Sequence, residues 1–418
     1  MALPGPTRQR EIYLNGLSGS RPAVPTNAEA LERVAERSMG TNAWAYVSGG
    51  AGSGSTMRAN REAFTRWQIV PRVLRDVSTR DLSIELLGVR LASPFLLAPV
   101  GVLEMAHADA DLAVARAARS VGVPMILSNQ ASVPMEECAR ALGDTARWFQ
   151  LYWSTSNDLV ASFVRRAEAC RCSAIVLTLD TTMLGWRTSD LDLAWLPFLR
   201  GMGIAQYTSD PVFRAQLSET PGAPAMRPKA GLSSLGALMQ LMGHGRQARL
   251  STRNMRAAVQ RFSATYSRPS LTWPDLGLLR GMTKLPLVLK GIQHPADARR
   301  AVEERVDAIV VSNHGGRQVD GAVGCLDALP GVVRAVQGRI PVLFDSGVRT
   351  GADAFKALAL GATAVLVGRP FVYGLAIAGE SGVRETMQNL TAELDLTVGL
   401  AGETSVRTLT VDSLERTV

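Results

Sequence analysis

Asp180, Lys290, His314 and Asp345 each follow a short apolar run, in positions where a packed interior would not choose a charge. Gln150, Tyr152, Thr178, Ser312, Gly368 and Arg369 end runs of the same kind. Scattered polar residues at such ends could be mere loop starts, but so many convergent ionisable groups favour a reaction site. The four histidines (His107, His244, His294, His314) are not paired at metal-ligand spacing, so no protein-held metal is expected. Cys138, Cys170, Cys172 and Cys325 lack zinc-site spacing and are too few for a disulfide framework, so reduced structural thiols are expected. A lone histidine at a strand end is more often a hydrogen-bonded structural residue than a base, and Asp180 alone would read as a loop cap.

The runs themselves are PFLLAP (94–99), PMILS (124–128), RWFQLY (147–152), AIVLTLD (174–180), LPLVLKG (285–291), AIVVSNH (308–314), IPVLFDS (340–346) and AVLVGRP (364–370). Each reads as a buried parallel strand. Most are separated by amphipathic stretches such as ADADLAVARAARSVG and GADAFKALALG, which read as helices ended by glycine. Strand and helix alternating eight times predict an α/β fold, a closed (β/α)8 TIM barrel, with chemistry at the C-terminal strand ends. Residues 1–90 are expected as an N-terminal extension packed on the barrel, with a helix over 27–39, a glycine-serine turn over 48–55 and a hairpin around DLSIELLGVRLASP. The barrel then takes 91–418, interrupted by an insertion, 188–270, far longer than a usual connection.

The 418 residues can bury a large core as one catalytic domain. No apolar run behind the basic N-terminus and none of membrane-spanning length point to an unprocessed cytoplasmic protein. The net charge of +8 is local: residues 221–270 hold eight Arg or Lys (Arg227, Lys229, Arg246, Arg249, Arg253, Arg256, Arg261, Arg268) and no Asp or Glu. The rest balances at 37 basic against 37 acidic residues, so one segment could attract anions, a membrane surface or a partner. Nucleic acid is not expected, since no aromatics interleave the basic residues before Phe262 and Tyr266.

The segment S-N-H-G-G-R-Q (312–318) resembles the FMN-dependent 2-hydroxy acid oxidase family, and so do F-Q-L-Y (149–152), L-T-L-D (177–180), L-K-G (289–291), D-S-G-V-R-T-G-A-D (345–353) and V-G-R-P (367–370). The resemblance implies FMN as cofactor, a small 2-hydroxy acid and oxygen as reactants, and a homotetramer. It makes His314 the base, with Asp180 steadying its imidazolium. Arg187, Arg317 and Tyr46 would hold the substrate carboxylate, Tyr152 would face its hydroxyl, and Lys290 would stabilise the reduced flavin. Pro99, Val100 and Gly101 would lie against the flavin, while Ser128, Gln150, Thr178 and Ser312 would hydrogen-bond its ring. Asp345 would serve the ribityl chain, and Gly347, Arg349, Gly368 and Arg369 the phosphate.

The segments E-I-Y-L-N-G-L, G-W-R-T-S-D-L, L-P-F-L-R-G, T-S-D-P-V-F and K-G-I-Q-H-P-A-D-A-R-R-A-V are similar to the lactate 2-monooxygenase branch. That branch implies lactate and oxygen going to acetate, carbon dioxide and water. An oxidase releasing keto acid and hydrogen peroxide, and a dehydrogenase passing electrons to a quinone or carrier, remain as alternatives; a phosphate-binding barrel without catalysis is disfavoured because base, arginines and lysine occur together. Two positions depart from relatives. Gln130 stands where glycolate oxidase has a large aromatic, predicting a differently shaped pocket that binds the substrate. Gly101 replaces an alanine, and the expectation is either extra room against the flavin or a tight turn. The insertion, with its apolar run 231–243, reads first as a lid, then as a solvated linker, then as a membrane-surface element.

Overall fold

The computed structural model describes residues 3–219 and 232–417. Eight parallel strands close into a barrel: β1 (Phe95–Leu97), β2 (Met125–Leu127), β3 (Arg147–Leu151), β4 (Ile175–Thr178), β5 (Leu287–Ile292), β6 (Ala308–Val311), β7 (Val342–Phe344) and β8 (Ala364–Val367). Seven lie within the apolar runs and β5 overruns its own by one residue, Ile292; β8 returns to β1 through Val365–Phe95, Leu366–Leu96 and Val367–Leu97. Nearly every strand residue is buried, because barrel strands face side chains inside and helices outside. Apart from Arg147, which opens β3 and donates to the carbonyls of Ala139 and Gly143, the polar side chains on the strands lie near their C-terminal ends, as at Gln150, Thr178 and Lys290.

The expected helices form where their end signals stand. Helix Ala110–Val121 stops at Gly122, whose φ of 65° lets its N–H reach the carbonyls of Ala118 and Arg119. Helix Gly351–Ala359 opens on a capping box between Thr350 and Asp353. Asp353 also accepts from the Arg349 N–H and from Arg61, which fixes the loop after β7.

The N-terminal extension contains the expected helix, Ala28–Ser38, capped by Asn27, and ends in the hairpin of Ile84–Leu86 with Val89–Leu91, which runs one residue past position 90. It also contains helices the sequence reading left unassigned: Pro4–Leu17, Thr41–Ser48 and Ser55–Thr65. Helix Pro4–Leu17 packs on the long C-terminal helix Arg369–Leu400, where buried Asp395 accepts from the Gly5 N–H and pairs with Arg80.

The described part of the insertion is helical and packed, unlike a solvated linker. Helix Thr252–Thr265 sends Phe262 into an aromatic cluster, with ring centroids 4.8 Å from Tyr207 and 5.1 Å from Phe198. Helix Leu232–Gln247 buries Leu241 and leaves Leu235 and Met239 exposed. Arg227 and Lys229 of the basic window, and Gly231 of the apolar run, lie outside the described residues. Among the described residues, no helix is long and apolar enough to cross a membrane.

Candidate active site

A cavity of about 1100 Å³ opens at the C-terminal end of the barrel. It gathers Tyr46, Pro99, Val100, Gly101, Gln130, Tyr152, Arg187, Lys290, His314, Arg317, Asp345, Gly347, Arg349, Gly368 and Arg369 from the expected set. Ser128, Gln150, Thr178 and Ser312 are buried at strand ends outside that lining. The first three form a chain: Ser128 Oγ donates to Gln150 Oε1 (3.0 Å), and Gln150 Nε2 donates to Thr178 Oγ1 (3.1 Å). Asp180 also stands outside the lining, in hydrogen-bond contact with His314.

His314 Nδ1 lies 3.0 Å from Asp180 Oδ1. A carboxylate only accepts, so Nδ1 carries the proton and Nε2 keeps its free lone pair. Thr181 Oγ1 donates to the same Asp180 oxygen (2.9 Å) and sits 3.2 Å from Nδ1. Burial resists charge on Asp180, but His314 and Lys290 outweigh it and hold the carboxyl down at about 2. His314 is pushed below its ordinary value, chiefly by burial and further by the Lys290 and Arg187 charges, against the pull of Asp180. The pair therefore stands as carboxylate and neutral imidazole at neutral pH, the state a proton acceptor requires. Tyr152, raised to about 12 by burial and then by Asp180, stays a phenol donor.

The loop that presents His314 is held from both sides. Asn313 and Asn60 exchange side-chain amide hydrogen bonds (2.8 and 2.9 Å), tying it to helix Ser55–Thr65. Ser346 Oγ accepts from the backbone N–H groups of Asn313 and Gly315 and donates to Asp345 (2.7 Å).

Lys290 Nζ donates to Ser312 Oγ (2.7 Å) and pairs with Asp345 (2.8 Å). Burial works against its charge, but Asp345 and Asp180 raise it above the ordinary lysine value. The arginines have the opposite problem. Arg317 donates to the carbonyls of Tyr46 and Gly49, and its guanidinium lies 5.0 Å from the Tyr46 ring centre; Arg187 donates to the Arg317 carbonyl and Gln318. Among the described residues neither has a carboxylate within salt-bridge distance. Burial, and then Arg187, push the Arg317 guanidinium down to about 9. Two guanidinium groups that repel each other, with no ion-paired carboxylate among the described residues, favour a bound anion.

Arg369 spends its guanidinium on the carbonyls of Val47, Gly49 and Gly315, bracing the glycine turn against the His314 loop. Its backbone begins helix Arg369–Leu400, with Gly368 as cap. Gly347 has φ 98°, and a Cβ there would come 2.8 Å from the Asn60 carbonyl, so only glycine lets the chain pass.

Gly101 requires a correction. The room its missing Cβ leaves is already occupied, since a methyl would meet the Gln130 carbonyl at 2.8 Å and Gln130 Cβ at 2.9 Å. The glycine admits Gln130 rather than opening space against a cofactor. The lining also includes residues that sequence reasoning missed: Thr181, Leu184, Phe198, Tyr266 and Ser346. Leu184, Phe198 and Tyr266 make an apolar wall from the segment after β4, with Phe262 stacked on Tyr266 at 5.1 Å.

A family model described as FMN-dependent dehydrogenase matches residues 35–416. An FMN-dependent alpha-hydroxy acid dehydrogenase of Penicillium citrinum is 42% identical, with 98% of this chain and 95% of the relative covered. An L-lactate oxidase of Lysinibacillus sphaericus is 40% identical over 97% of both chains. The crystal structure of mandelate oxidase with (S)-4-hydroxymandelic acid superposes with a TM-score of 0.78 at 36% identity, covering 94% of this chain and 99% of that one. The cavity suits FMN on its own terms. Its charged lining is Arg187, Lys290, Arg317, Arg349 and Arg369 against Asp345 alone, a surplus of positive charge that a phosphate and a substrate carboxylate together would neutralise.

Proposed function

Since the chain belongs to the FMN-dependent dehydrogenase family and is an FMN-dependent 2-hydroxy acid oxidoreductase, we propose that it oxidises a small L-2-hydroxy acid with molecular oxygen, His314 serving as base, and that with lactate it yields acetate, carbon dioxide and water. The observation that carries this reading is the Arg187–Arg317 pair, Arg187 buried and Arg317 half-buried, with no carboxylate within salt-bridge distance among the described residues, beside a neutral imidazole backed by Asp180.

Arg317 and Arg187 bind the substrate carboxylate and orient the molecule, with the Tyr46 and Tyr152 hydroxyls as further donors. His314 Nε2 takes a proton from the substrate, and Asp180 stabilises the imidazolium that results. Lys290, Asp345, Arg349 and the backbone at Gly347, Gly368 and Arg369 would hold FMN. When bound, FMN would supply the acceptor for the two electrons of the alcohol carbon and their route to oxygen, the products being a 2-keto acid and hydrogen peroxide. Leu184, Phe198 and Tyr266 wall the cavity, and in the monooxygenase reaction this wall would hold both products together. Keto acid and peroxide then react to give the shortened acid, carbon dioxide and water, which balances the monooxygenase equation.

The oxidase reading, in which both products escape, is favoured by the relative named L-lactate oxidase. Enzyme given L-lactate in air without catalase separates the two. Acetate equal to oxygen consumed, with little peroxide, supports the monooxygenase reaction; pyruvate and peroxide in equal amounts make it an oxidase. Absence of flavin bleaching with lactate and with larger L-2-hydroxy acids would overturn the site assignment.

A further inference from the structure

Beside the substrate cavity, a second cavity of about 1120 Å³ opens between the insertion and the barrel, and Glu104 stands in its wall with Ser132, Gly203 and His244. Glu104 joins three segments there. Its backbone N–H donates to Ser132 Oγ (3.1 Å) on the loop after β2. Its Oε1 accepts from the Gly203 N–H (2.9 Å) near the start of the insertion, and its Oε2 lies 3.6 Å from His244 Nδ1 on helix Leu232–Gln247. The carboxylate is 18% exposed, so burying it is offset only while these partners are kept.

Glu104 does not line the substrate cavity, but Gly203 reaches residues that do. Gly203 has φ 67°, and a Cβ there would come within 2.6 Å of Val102 Cγ2, 3.1 Å of the Gln130 carbonyl and 3.2 Å of Phe198 Cε1. Val102, itself at φ 57°, donates its N–H to that same Gln130 carbonyl (2.9 Å). Gln130 and Phe198 both face the substrate cavity. A carboxylate outside the site thus fixes, through one glycine, the backbone against which two lining residues rest.

We propose that Glu104 is a positioning residue for substrate binding, holding Gly203 so that Gln130 and Phe198 form a fixed wall. The inference rests on reading that cavity as the 2-hydroxy acid pocket. An ordinary structural tie would act on stability alone; a positioning tie acts on KM, because the wall shapes the bound substrate, while the His314–Asp180 pair is held by other partners.

Steady-state kinetics and FMN content of Glu104→Ala, Glu104→Gln and Gly203→Ala holoenzymes test it. Glu104→Ala is expected to raise the KM for the hydroxy acid about tenfold with kcat within about twofold of the parent and FMN retained. Glu104→Gln keeps an acceptor for the Gly203 N–H and recovers most of that loss. Gly203→Ala pushes the same wall apart with Glu104 intact and raises KM likewise; this variant and Glu104→Gln carry the test should Glu104→Ala lose FMN. A KM within twofold of the parent in both Glu104→Ala and Gly203→Ala, or a Glu104→Gln enzyme no better than Glu104→Ala, overturns the proposal. His314→Ala in the same series separates the two readings: parental flavin reduction by that variant sinks the pocket assignment itself, whatever Glu104 does.

Discussion

His314 holds a left-handed backbone conformation, φ 57°, and from it places Nδ1 3.0 Å from the carboxylate of Asp180, which follows β4, the strand two positions earlier in the barrel. A non-glycine residue keeps such a conformation only when its surroundings impose it. Here Asn60, Ser312 and Ser346 supply that constraint through Asn313 and the flanking N–H groups.

The first consequence concerns the base. His314→Ala should retain FMN, since the lining that would hold the cofactor is otherwise complete, and should lose flavin reduction by on the order of 10²–10⁴-fold or more. Anaerobic stopped-flow bleaching by L-lactate measures it, and near-parental rates would remove His314 from the mechanism.

The pH dependence follows with a definite sign. Only neutral His314 accepts a proton, so kcat/KM for flavin reduction falls as pH drops through the His314 pKa. Because that pKa is depressed, the acid limb should lie below the usual imidazole value of about 6.5. Asp180→Asn removes a charge that raises the imidazole pKa, so its acid limb should move further down while the plateau rate also falls. An acid limb that rises in Asp180→Asn contradicts the pairing.

The anion demand of the arginines can be read without turnover. A 2-keto acid at one hundred times its Kd should stabilise the holoenzyme by about 2.7 kcal/mol. In Arg317→Met that protection at the same concentration should fall to about 0.4 kcal/mol, as affinity and KM weaken by about a hundredfold through loss of a charge-assisted contact. Thermal melts with and without keto acid test this; undiminished protection in Arg317→Met would place the carboxylate elsewhere.

Strands were the most legible part of the sequence, because a barrel strand buried on both faces must be an apolar run and its polar end must face solvent or a site. His314, Lys290 and Asp345 could be read on that ground. Thr181 could have been found too, since it follows Asp180 directly at a strand end. Phe198 and Tyr266 could not, because they reach the cavity through the packing of the insertion, set by Phe262 and Tyr207 and not by local pattern. The extra room considered at Gly101 fails for a related reason: a glycine announces missing bulk but not the neighbour that fills it.

That neighbour makes a prediction of its own. Gly101→Ala should displace Gln130 instead of merely narrowing the cavity, raising KM for the hydroxy acid with FMN content preserved. Glutamine has other rotamers, but the 2.8 Å contact is with its backbone carbonyl, which Val102 also holds. An alanine enzyme with parental KM would show that this loop gives way at no cost.

Lys290 and Asp345 separate stability from catalysis. Both are nearly buried, 5% and 9% exposed at the side chain, and lie 2.8 Å apart. Lys290→Met leaves the Asp345 carboxylate without its cation and should cost about 3–5 kcal/mol, besides slowing flavin reduction. Adding Asp345→Asn removes the stranded charge, so the double variant should regain much of the lost stability in urea or thermal unfolding. It should not regain the reduction rate, because the cation that stabilises developing negative charge is still missing. If the double variant recovers rate along with stability, Lys290 serves only to neutralise Asp345; if it recovers neither, the pair is not the self-contained unit that its geometry describes.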